Sequence, residues 1–229
     1  KSYIDLTVSV LKEAGLDVTF QDNEIAVTPC EALPENKNIT VEADWSAASF
    51  WYSWVALRPG SVLNLVGLNL DSAQGDKKLI DYFEGLGVRT KSIDSGLRIY
   101  HVDMALPSYL EINLINQPDL AQPLAVVCTL LGVKVKLNGL QTLAIKETNR
   151  LEALKEEFLN FDVESILDED SILIKSQKAS NPKRGVKTYN DHRMAMAFSL
   201  FASRFSIEIQ DPEVVSKSYP KYFEHLLKM

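Results

Sequence analysis

The chain has 229 residues, of which 46% are apolar and 24% are charged, and its formal net charge at neutral pH is −7. This length and composition indicate a folded protein with a sizeable core and exclude an intrinsically disordered one. The acidic balance argues against a general nucleic-acid surface or a surface for anionic membranes, and no apolar run approaches the length that crosses a bilayer.

The first 38 residues predict the end of one structural unit. A helix is expected over 3–14, followed by short strands over 16–20 and 24–27. Residues 28–38 are largely polar and contain two prolines, so they predict a domain boundary between residues 1–38 and residues 39–229. Because the chain starts at Lys1 in the middle of a helical pattern, we expect it to be part of a longer protein.

Residues 39–229 show a pattern that recurs about every 70 residues. Each unit opens with a strand and an apolar helix, and an aspartate stands at each helix start, where its carboxylate can accept free backbone N–H groups. A second strand and a second helix follow, and a strand pair closes the first two units. The sequence therefore predicts an α/β (α+β) fold of repeated β-α-β-α-β-β units. The opening strands are predicted at 39–44, 110–114 and 185–188, the apolar helices at 45–57, 119–131 and 191–202, the second strands at 62–66, 133–137 and 206–209, the second helices at 77–86, 149–159 and 219–227, and the closing pairs at 88–92 with 97–102 and 163–167 with 171–175.

The two cysteines, Cys30 and Cys128, are far apart in the sequence. Cys128 lies in the apolar run 124–131, where a cysteine is typical of a small buried hydrophobic residue. Because neither cysteine has a nearby partner at metal-ligand spacing, we expect no disulfide framework and no metal site. This usage is typical of a reducing compartment and predicts a cytoplasmic protein.

Two cations flank an acid in the segment Ile145-Lys-Glu-Thr-Asn-Arg150, at the start of a predicted helix. A helix start presents free N–H groups and a partial positive charge, so Lys146 and Arg150 would strengthen an anion site there. A solvated helix end is the alternative interpretation of such a segment. Helix electrostatics favour acids at this end, so two cations here are unusual. Because local rules tend to break at functional sites, this departure favours the anion site.

A similar arrangement occurs in Tyr189-Asn-Asp-His-Arg-Met-Ala-Met196, where Asp191 can cap the helix and Arg193 lies in its first turn. The alternative is that Arg193 only pairs with a nearby acid. His192 is expected to be a structural hydrogen-bonding residue. Lys217 precedes the last predicted helix. One such cation is uninformative, but four at helix starts of one repeated scaffold predict that they converge on one anion.

The motifs, in this order and spacing, resemble those of the 5-enolpyruvylshikimate-3-phosphate (EPSP) synthase family over nearly the whole chain. The combination of Lys-Glu-Thr-x-Arg with Asp-His-Arg-Met-Ala-Met is specific. The matching segments are Tyr3-Ile-Asp-Leu-Thr7, Val41-Glu-Ala-Asp-Trp-Ser-Ala-Ala-Ser49, Gln117-Pro-Asp119, 145–150, 189–196 and Ser216-Lys-Ser-Tyr-Pro-Lys-Tyr-Phe223.

The resemblance implies a monomeric protein of two domains with three units each and an active site between them. Residues 1–38 would end one domain and residues 39–229 would form most of the other, so the chain would need the N-terminal half of the same protein and be inactive alone. The implied substrates are phosphoenolpyruvate and shikimate 3-phosphate, with no metal or organic cofactor. The implied roles are Asp119 and Glu147 as catalytic carboxylates, Lys146, Arg150, Arg193 and Lys217 on the phosphoenolpyruvate side, and Tyr3 against shikimate 3-phosphate.

Four positions depart from the family pattern. Asn149 stands where Asp is common, Thr142 where a shikimate-contacting Asn is frequent, and Ala43 and Trp45 alter a helix start of normally small residues. Two other functions stay open at this stage. One is enolpyruvyl transfer to UDP-N-acetylglucosamine, and the other is a non-catalytic scaffold domain built from the same repeat.

Overall fold

The computed structural model describes residues 2–30, 32, 38–175 and 178–229. The connector predicted at 28–38 lies mostly outside these ranges. Among the described residues, no helix has the length and apolar composition needed to cross a membrane. Within the same ranges, no three His, Cys, Asp or Glu residues are grouped so that they could hold a metal ion.

The first segment is a helix followed by a hairpin, as the sequence predicts. Helix α1 spans Ser2–Glu13, and strands β1 (Val18–Gln21) and β2 (Glu24–Val27) pair antiparallel. The two turn residues, Asp22 and Asn23, both have positive φ angles of 52° and 67°. Asp and Asn tolerate this left-handed conformation, which tight two-residue hairpin turns require.

The first unit contains a three-stranded antiparallel sheet of order β3-β5-β4. Its elements are α2 (Trp45–Leu57), β3 (Val62–Val66), α3 (Leu79–Glu84), β4 (Val88–Ile93) and β5 (Gly96–His101).

The strand predicted at 39–44 is absent from the described residues 38–44, so that prediction was wrong. Only the N–H of Ala43 bonds back toward the sheet, to the carbonyl of Gly67 at 3.1 Å. Val41 is 91% exposed, so its apolar side chain finds no core to pack against. Alternation of apolar and polar residues indicates a strand only where one face becomes buried.

The second unit has every predicted element. Its sheet has the order β6-β7-β9-β8, in which β6 and β7 are parallel and the other pairs are antiparallel. Its elements are β6 (Tyr109–Asn113), α4 (Ala121–Leu131), β7 (Lys134–Asn138), α5 (Arg150–Asn160), β8 (Ser165–Leu167) and β9 (Ile172–Ile174).

The third unit keeps its helices but not its predicted strands. Helix α6 (His192–Ser199) continues into a 3₁₀ turn, and α7 (Tyr222–Leu226) follows near the end. The strands expected at 185–188 and 206–209 reduce, in the described chain, to one parallel bridge between Val186 and Ile209. Val186 makes two backbone hydrogen bonds there, of 2.8 and 2.9 Å, and the pairing goes no further.

Three helices, α2, α4 and α6, form the centre of the core. Nearly all of their residues are buried, and α4 packs against both α2 and α6. A helix that is apolar on all sides is stable only when it is surrounded by protein. Cys128 of α4 is fully buried and free, as predicted, while Cys30 is free and exposed.

Candidate active site

Asp119 lies at the centre of a cluster of charged side chains. It sits in a 3₁₀ turn, Pro118–Leu120, directly before α4. The sequence predicts that Asp119 caps this helix, and that prediction was wrong: the N-cap is Leu120, which has no side-chain cap. The carboxylate instead accepts hydrogen bonds from the Tyr3 hydroxyl at 2.6 Å, from Arg150 Nη1 at 2.8 Å and from Arg193 Nη2 at 3.2 Å.

The other two aspartates at helix starts do act as caps. Asp44 accepts the backbone N–H of Ser46, and Asp191 accepts that of Arg193, each at 2.8 Å. A carboxylate that caps a helix satisfies one of its free N–H groups. Asp119 departs from this rule because its oxygens are taken by side chains that come from distant parts of the chain.

The environment of Asp119 keeps it ionised. Burial raises the pKa of this carboxyl, but the charge of Arg193, the Tyr3 hydrogen bond and the charges of Lys146 and Arg150 outweigh that effect and lower the pKa to about 2. The residue is only 5% exposed, so solvent screens these interactions weakly. Asp119 is therefore a buried anion at neutral pH.

Arg150, the first residue of α5, holds three carboxylates together. The residue is 1% exposed, and its guanidinium donates to Asp191 Oδ2 at 2.7 Å, to Glu147 Oε2 at 2.7 Å and to Asp119 Oδ1 at 2.8 Å. Arginine presents its donors in a rigid planar fork, which lysine cannot reproduce. Arg150 thus fixes the relative positions of the carboxylates, and a direct contact with substrate stays a prediction.

Glu147 lies in the loop before α5, whose N-cap is Asn149 through a bond to the N–H of Glu152. Asn149, which stands where the family commonly has Asp, therefore still provides a side chain that caps the helix. Glu147 accepts from Lys217 Nζ at 2.9 Å and from Arg150. Burial raises the pKa of Glu147, but the Lys217 hydrogen bond, its own backbone N–H and the charge of Arg150 lower it to about 2.

Three cations of the cluster keep access to solvent. Lys146 Nζ lies 3.6 Å from Asp119 Oδ1 with its side chain 29% exposed, and the side chains of Lys217 and Arg193 are 58% and 13% exposed. Their carboxylate contacts leave other N–H donors free to face an incoming anion. The structure therefore brings together all seven residues predicted for the site: Tyr3, Asp119, Lys146, Glu147, Arg150, Arg193 and Lys217.

The sequence interpretation missed one ionic role, that of Asp191. This side chain is fully buried and serves both as cap of α6 and as partner of Arg150. A second omission is Asp76, 6% exposed, which accepts from the Ser46 hydroxyl. Burial raises the pKa of Asp76, while the charge of Arg193 lowers it. No local pattern marks Asp76, because it reaches the cluster through tertiary structure.

His192 also differs from its prediction. It is 7% exposed, and its Nδ1 has no hydrogen-bond partner among the described residues, so the expected structural hydrogen bond of that atom is absent. Nδ1 lies 4.0 Å from Glu147 Oε1. Burial and the charge of Arg193 lower the pKa of His192, so the imidazole is neutral at pH 7.

The cluster combines proton-transfer groups with an anion-binding surface. Asp119 and Glu147 share one guanidinium, and Lys146, Arg193 and Lys217 surround them with cations that keep access to solvent. Two positioned carboxylates can act as acid and base, and clustered arginine and lysine donors recognise phosphate and carboxylate oxygens. The geometry thus suits a reaction that moves protons on a multiply charged anion.

Comparison with known proteins points to one family. A family model described as EPSP synthase (3-phosphoshikimate 1-carboxyvinyltransferase) matches residues 1–226. A 3-phosphoshikimate 1-carboxyvinyltransferase of Bacteroides fragilis is 40% identical over the whole chain, which covers 56% of that protein. The protein of the same name in Syntrophobacter fumaroxidans is 31% identical over 99% of the chain and is covered to 53%. The chain thus spans about half the length of the curated relatives it matches.

Solved structures share the fold. EPSP synthase from Acinetobacter baumannii superposes with a TM-score of 0.71 at 22% identity, over 95% of this chain and 52% of the other. The enolpyruvyl transferase NikO from Streptomyces tendae gives a TM-score of 0.64 at 18% identity, over 96% of this chain and 51% of the other. At these identities the likeness establishes the fold alone.

Proposed function

Because the chain belongs to the EPSP synthase family, we propose that it forms one side of an active site that transfers the enolpyruvyl group of phosphoenolpyruvate to the 5-hydroxyl of shikimate 3-phosphate, with release of phosphate. The observation that carries the proposal is the Arg150 guanidinium, which bonds to both Asp119 and Glu147 and so places two carboxylates beside three solvent-accessible cations. The reaction belongs to the shikimate pathway, which supplies aromatic amino acids.

The charges of the cluster fit the donor substrate. Phosphoenolpyruvate carries a phosphate and a carboxylate, and the forked donors of Arg193 suit either group. Lys146, in the segment before α5, and Lys217, at the end of a 3₁₀ helix (Pro212–Lys217), contact the carboxylates from two separate segments and add positive charge. Tyr3 reaches the cluster from α1, where its hydroxyl bonds to Asp119, and would contact shikimate 3-phosphate.

The chemistry has two stages. In the first, the 5-hydroxyl oxygen bonds to C2 of phosphoenolpyruvate and loses its proton, while the methylene carbon C3 gains one and becomes a methyl group. This step forms a tetrahedral ketal that still carries the phosphate. In the second, the C2–O bond to phosphate breaks and the methyl group loses a proton, which restores the double bond. Each stage needs proton transfer, which positioned carboxylates provide.

The two carboxylates have different tasks in this proposal. Asp119 is ionised and accepts the proton of the 5-hydroxyl. Glu147 delivers a proton to C3, so it must first become protonated. Binding of the substrate anion adds negative charge beside Glu147 and competes for Lys217, which raises the pKa of Glu147 above its value of about 2 in the free site.

The complete site needs a second half. We propose that residues 1–38 end a second domain whose remainder is the N-terminal half of the full-length protein, and that the full-length protein is a cytoplasmic monomer. The direct hydrogen bond between Tyr3 and Asp119 supports this arrangement, because it puts the first segment at the edge of the cluster. The chain alone would then have the carboxylates but lack half of the substrate contacts.

Phosphate release tests the proposal. The chain would be assayed alone and joined to the N-terminal half of the Bacteroides fragilis relative, with phosphoenolpyruvate and shikimate 3-phosphate. We expect activity only in the joined protein. Activity with UDP-N-acetylglucosamine instead of shikimate 3-phosphate would establish the sister reaction and overturn the acceptor assignment. A folded joined protein that is silent with both acceptors would establish the scaffold alternative.

A further inference from the structure

Helix α5 holds the segment before α6 at two points. Arg150, at the start of α5, bonds to Asp191, and Glu157, seven residues later, accepts a hydrogen bond of 2.7 Å from the Tyr189 hydroxyl. Seven residues make about two helical turns, so the two side chains leave α5 on the same side, roughly 10 Å apart. The three residues 189–191 therefore lie along one face of α5, with Asn190 between the two contacts.

The carboxylate of Glu157 is held in place by several hydrogen bonds. The residue is 0% exposed, yet its carboxylate is fully satisfied, since Arg184 donates from Nη2 at 2.8 Å and from Nη1 at 3.1 Å, and Asn160 donates at 3.3 Å. A buried carboxylate tolerates its loss of hydration only with such partners. Asn160 also accepts the backbone N–H groups of Lys183 and Arg184, which ties the adjoining loop to α5.

The anchored segment has an unfavourable backbone. Tyr189 and Asn190 both have φ angles of 55°, in the left-handed region. Non-glycine residues rarely adopt this conformation; asparagine tolerates it, whereas tyrosine has no short polar side chain to compensate for it. Such a turn persists only when surrounding contacts hold it. The Tyr189 hydroxyl has a single proton to donate and lies within hydrogen-bond distance of two acceptors, Glu157 in the interior and the exposed Glu156 at 2.8 Å.

The turn determines where Asp191 points. Directly after the two left-handed residues, Asp191 returns to an extended conformation, caps α6 through the N–H of Arg193 and accepts from Arg150. A change in the turn would move the carboxylate that accepts from the guanidinium of Arg150 and from the backbone N–H of Arg193. The distant pair Glu157 and Tyr189 is thus linked to the site through one residue.

We propose that Glu157 and Tyr189 are positioning residues, which hold the left-handed turn so that Asp191 sets Arg150 and Arg193 for an anion. They contact neither Asp119 nor Glu147, so they act only through Asp191. The structural part of this inference stands on the contacts of α5, and its consequence for phosphoenolpyruvate rests on the proposed function.

Tyr189→Phe is the direct test, because phenylalanine keeps the ring and the same backbone cost while it removes the hydroxyl. The readout is the side-chain Nε–H resonance of Arg150 in ¹⁵N NMR of the chain. We expect its exchange with water to rise at least tenfold in Tyr189→Phe. Glu156→Gln, which alters only the exposed acceptor, should leave it unchanged. An unchanged Arg150 resonance in a folded Tyr189→Phe chain would overturn the inference.

A second variant and a folding measurement distinguish a loss of positioning from a loss of folding. Glu157→Gln keeps an acceptor of the same shape, and circular dichroism reports whether each variant is folded. In the joined protein, Tyr189→Phe should raise KM for phosphoenolpyruvate about tenfold and leave KM for shikimate 3-phosphate unchanged. A changed NMR signal with an inactive wild-type joined protein would refute the proposed function and keep the positioning role. An equal rise of KM for phosphoenolpyruvate and for shikimate 3-phosphate would refute a role that is selective for phosphoenolpyruvate.

Discussion

The hydroxyl of Tyr3 donates a 2.6 Å hydrogen bond to Oδ2 of Asp119, although 116 residues separate the two in the sequence. The bond joins the first helix to the charged cluster and is the only direct hydrogen bond from α1 to it in the described ranges. A donor to a carboxylate stabilises its ionised form. Tyr3 therefore lies at the edge of the site and also stabilises the ionised form of Asp119.

Removal of this donor should be visible in the titration of Asp119. We expect Tyr3→Phe to raise the pKa of Asp119 above its value of about 2, because one of its charge-stabilising bonds is lost. Carboxyl ¹³C NMR against pH measures it. Tyr109→Phe is the matched control, since Tyr109 donates to a surface carboxylate, Glu111. An unchanged Asp119 titration would show that Tyr3 is not bonded to it in solution.

The buried arginine should matter far more for stability than a surface one. Arg150→Gln leaves Asp119, Asp191 and Glu147 without their shared partner, and loss of one member of a buried ion cluster costs about 3–5 kcal/mol. Arg89→Gln removes a 3.7 Å contact to the exposed Glu84 and hydrogen bonds to the carbonyls of Glu84 and Val88 near the surface, and it should cost about 1 kcal/mol. Chemical denaturation compares the two free energies of unfolding, and equal losses would contradict a structural role for Arg150.

The depressed pKa of Asp119 predicts a dependence of stability on pH. Its folded value of about 2 lies below the usual value of 3.8, so its contribution is complete at pH values well above 4 and is lost as the pH falls toward 2. The loss is about 2–3 kcal/mol for a buried carboxyl of this kind. Asp119→Asn should reduce the slope of unfolding free energy between pH 5 and pH 2, and the slope that remains comes from Glu147, whose pKa is also lowered to about 2. Asp5→Asn, on the surface of α1, should keep the wild-type slope, and an equally unchanged slope in Asp119→Asn would contradict the assignment.

Lys217 should contribute to binding of the donor substrate. In the joined protein, Lys217→Gln is expected to raise KM for phosphoenolpyruvate about 10- to 100-fold, the range of one lost charge-assisted contact. Lys221→Gln removes a nearby exposed lysine that has no contact with the carboxylates and should leave KM within twofold. A similar KM in the two variants would remove Lys217 from the site.

The sequence predicted the apolar helices well, because burial on all sides leaves an unmistakable run of apolar residues, as in α2 and α4. It failed for the strand at 39–44 and for the strands around Val186 and Ile209, where alternation is present but pairing is absent or limited to one bridge. Strand formation depends on a neighbour that no local pattern specifies.

The sequence predicted those site residues whose charge is unusual for their position in a helix. Lys146 and Arg150 stand at a helix start where acids are usual, and they proved to lie in one cluster with Asp119. The ionic role of Asp191 and the Glu157–Tyr189 bond could not be foreseen, since a cap and a surface-like helix acid look ordinary in sequence. Both depend on contacts between separate helices and loops.

The central claim is that Glu147 delivers the proton to phosphoenolpyruvate beside Asp119. Its most direct test is the incorporation of solvent deuterium into the C3 methylene group during turnover of the joined protein with shikimate 3-phosphate. We expect ready incorporation in the wild type, a loss of at least 100-fold in Glu147→Gln and no change in Glu164→Gln, which removes an exposed acid outside the cluster. Undiminished incorporation in Glu147→Gln would contradict the role assigned to Glu147.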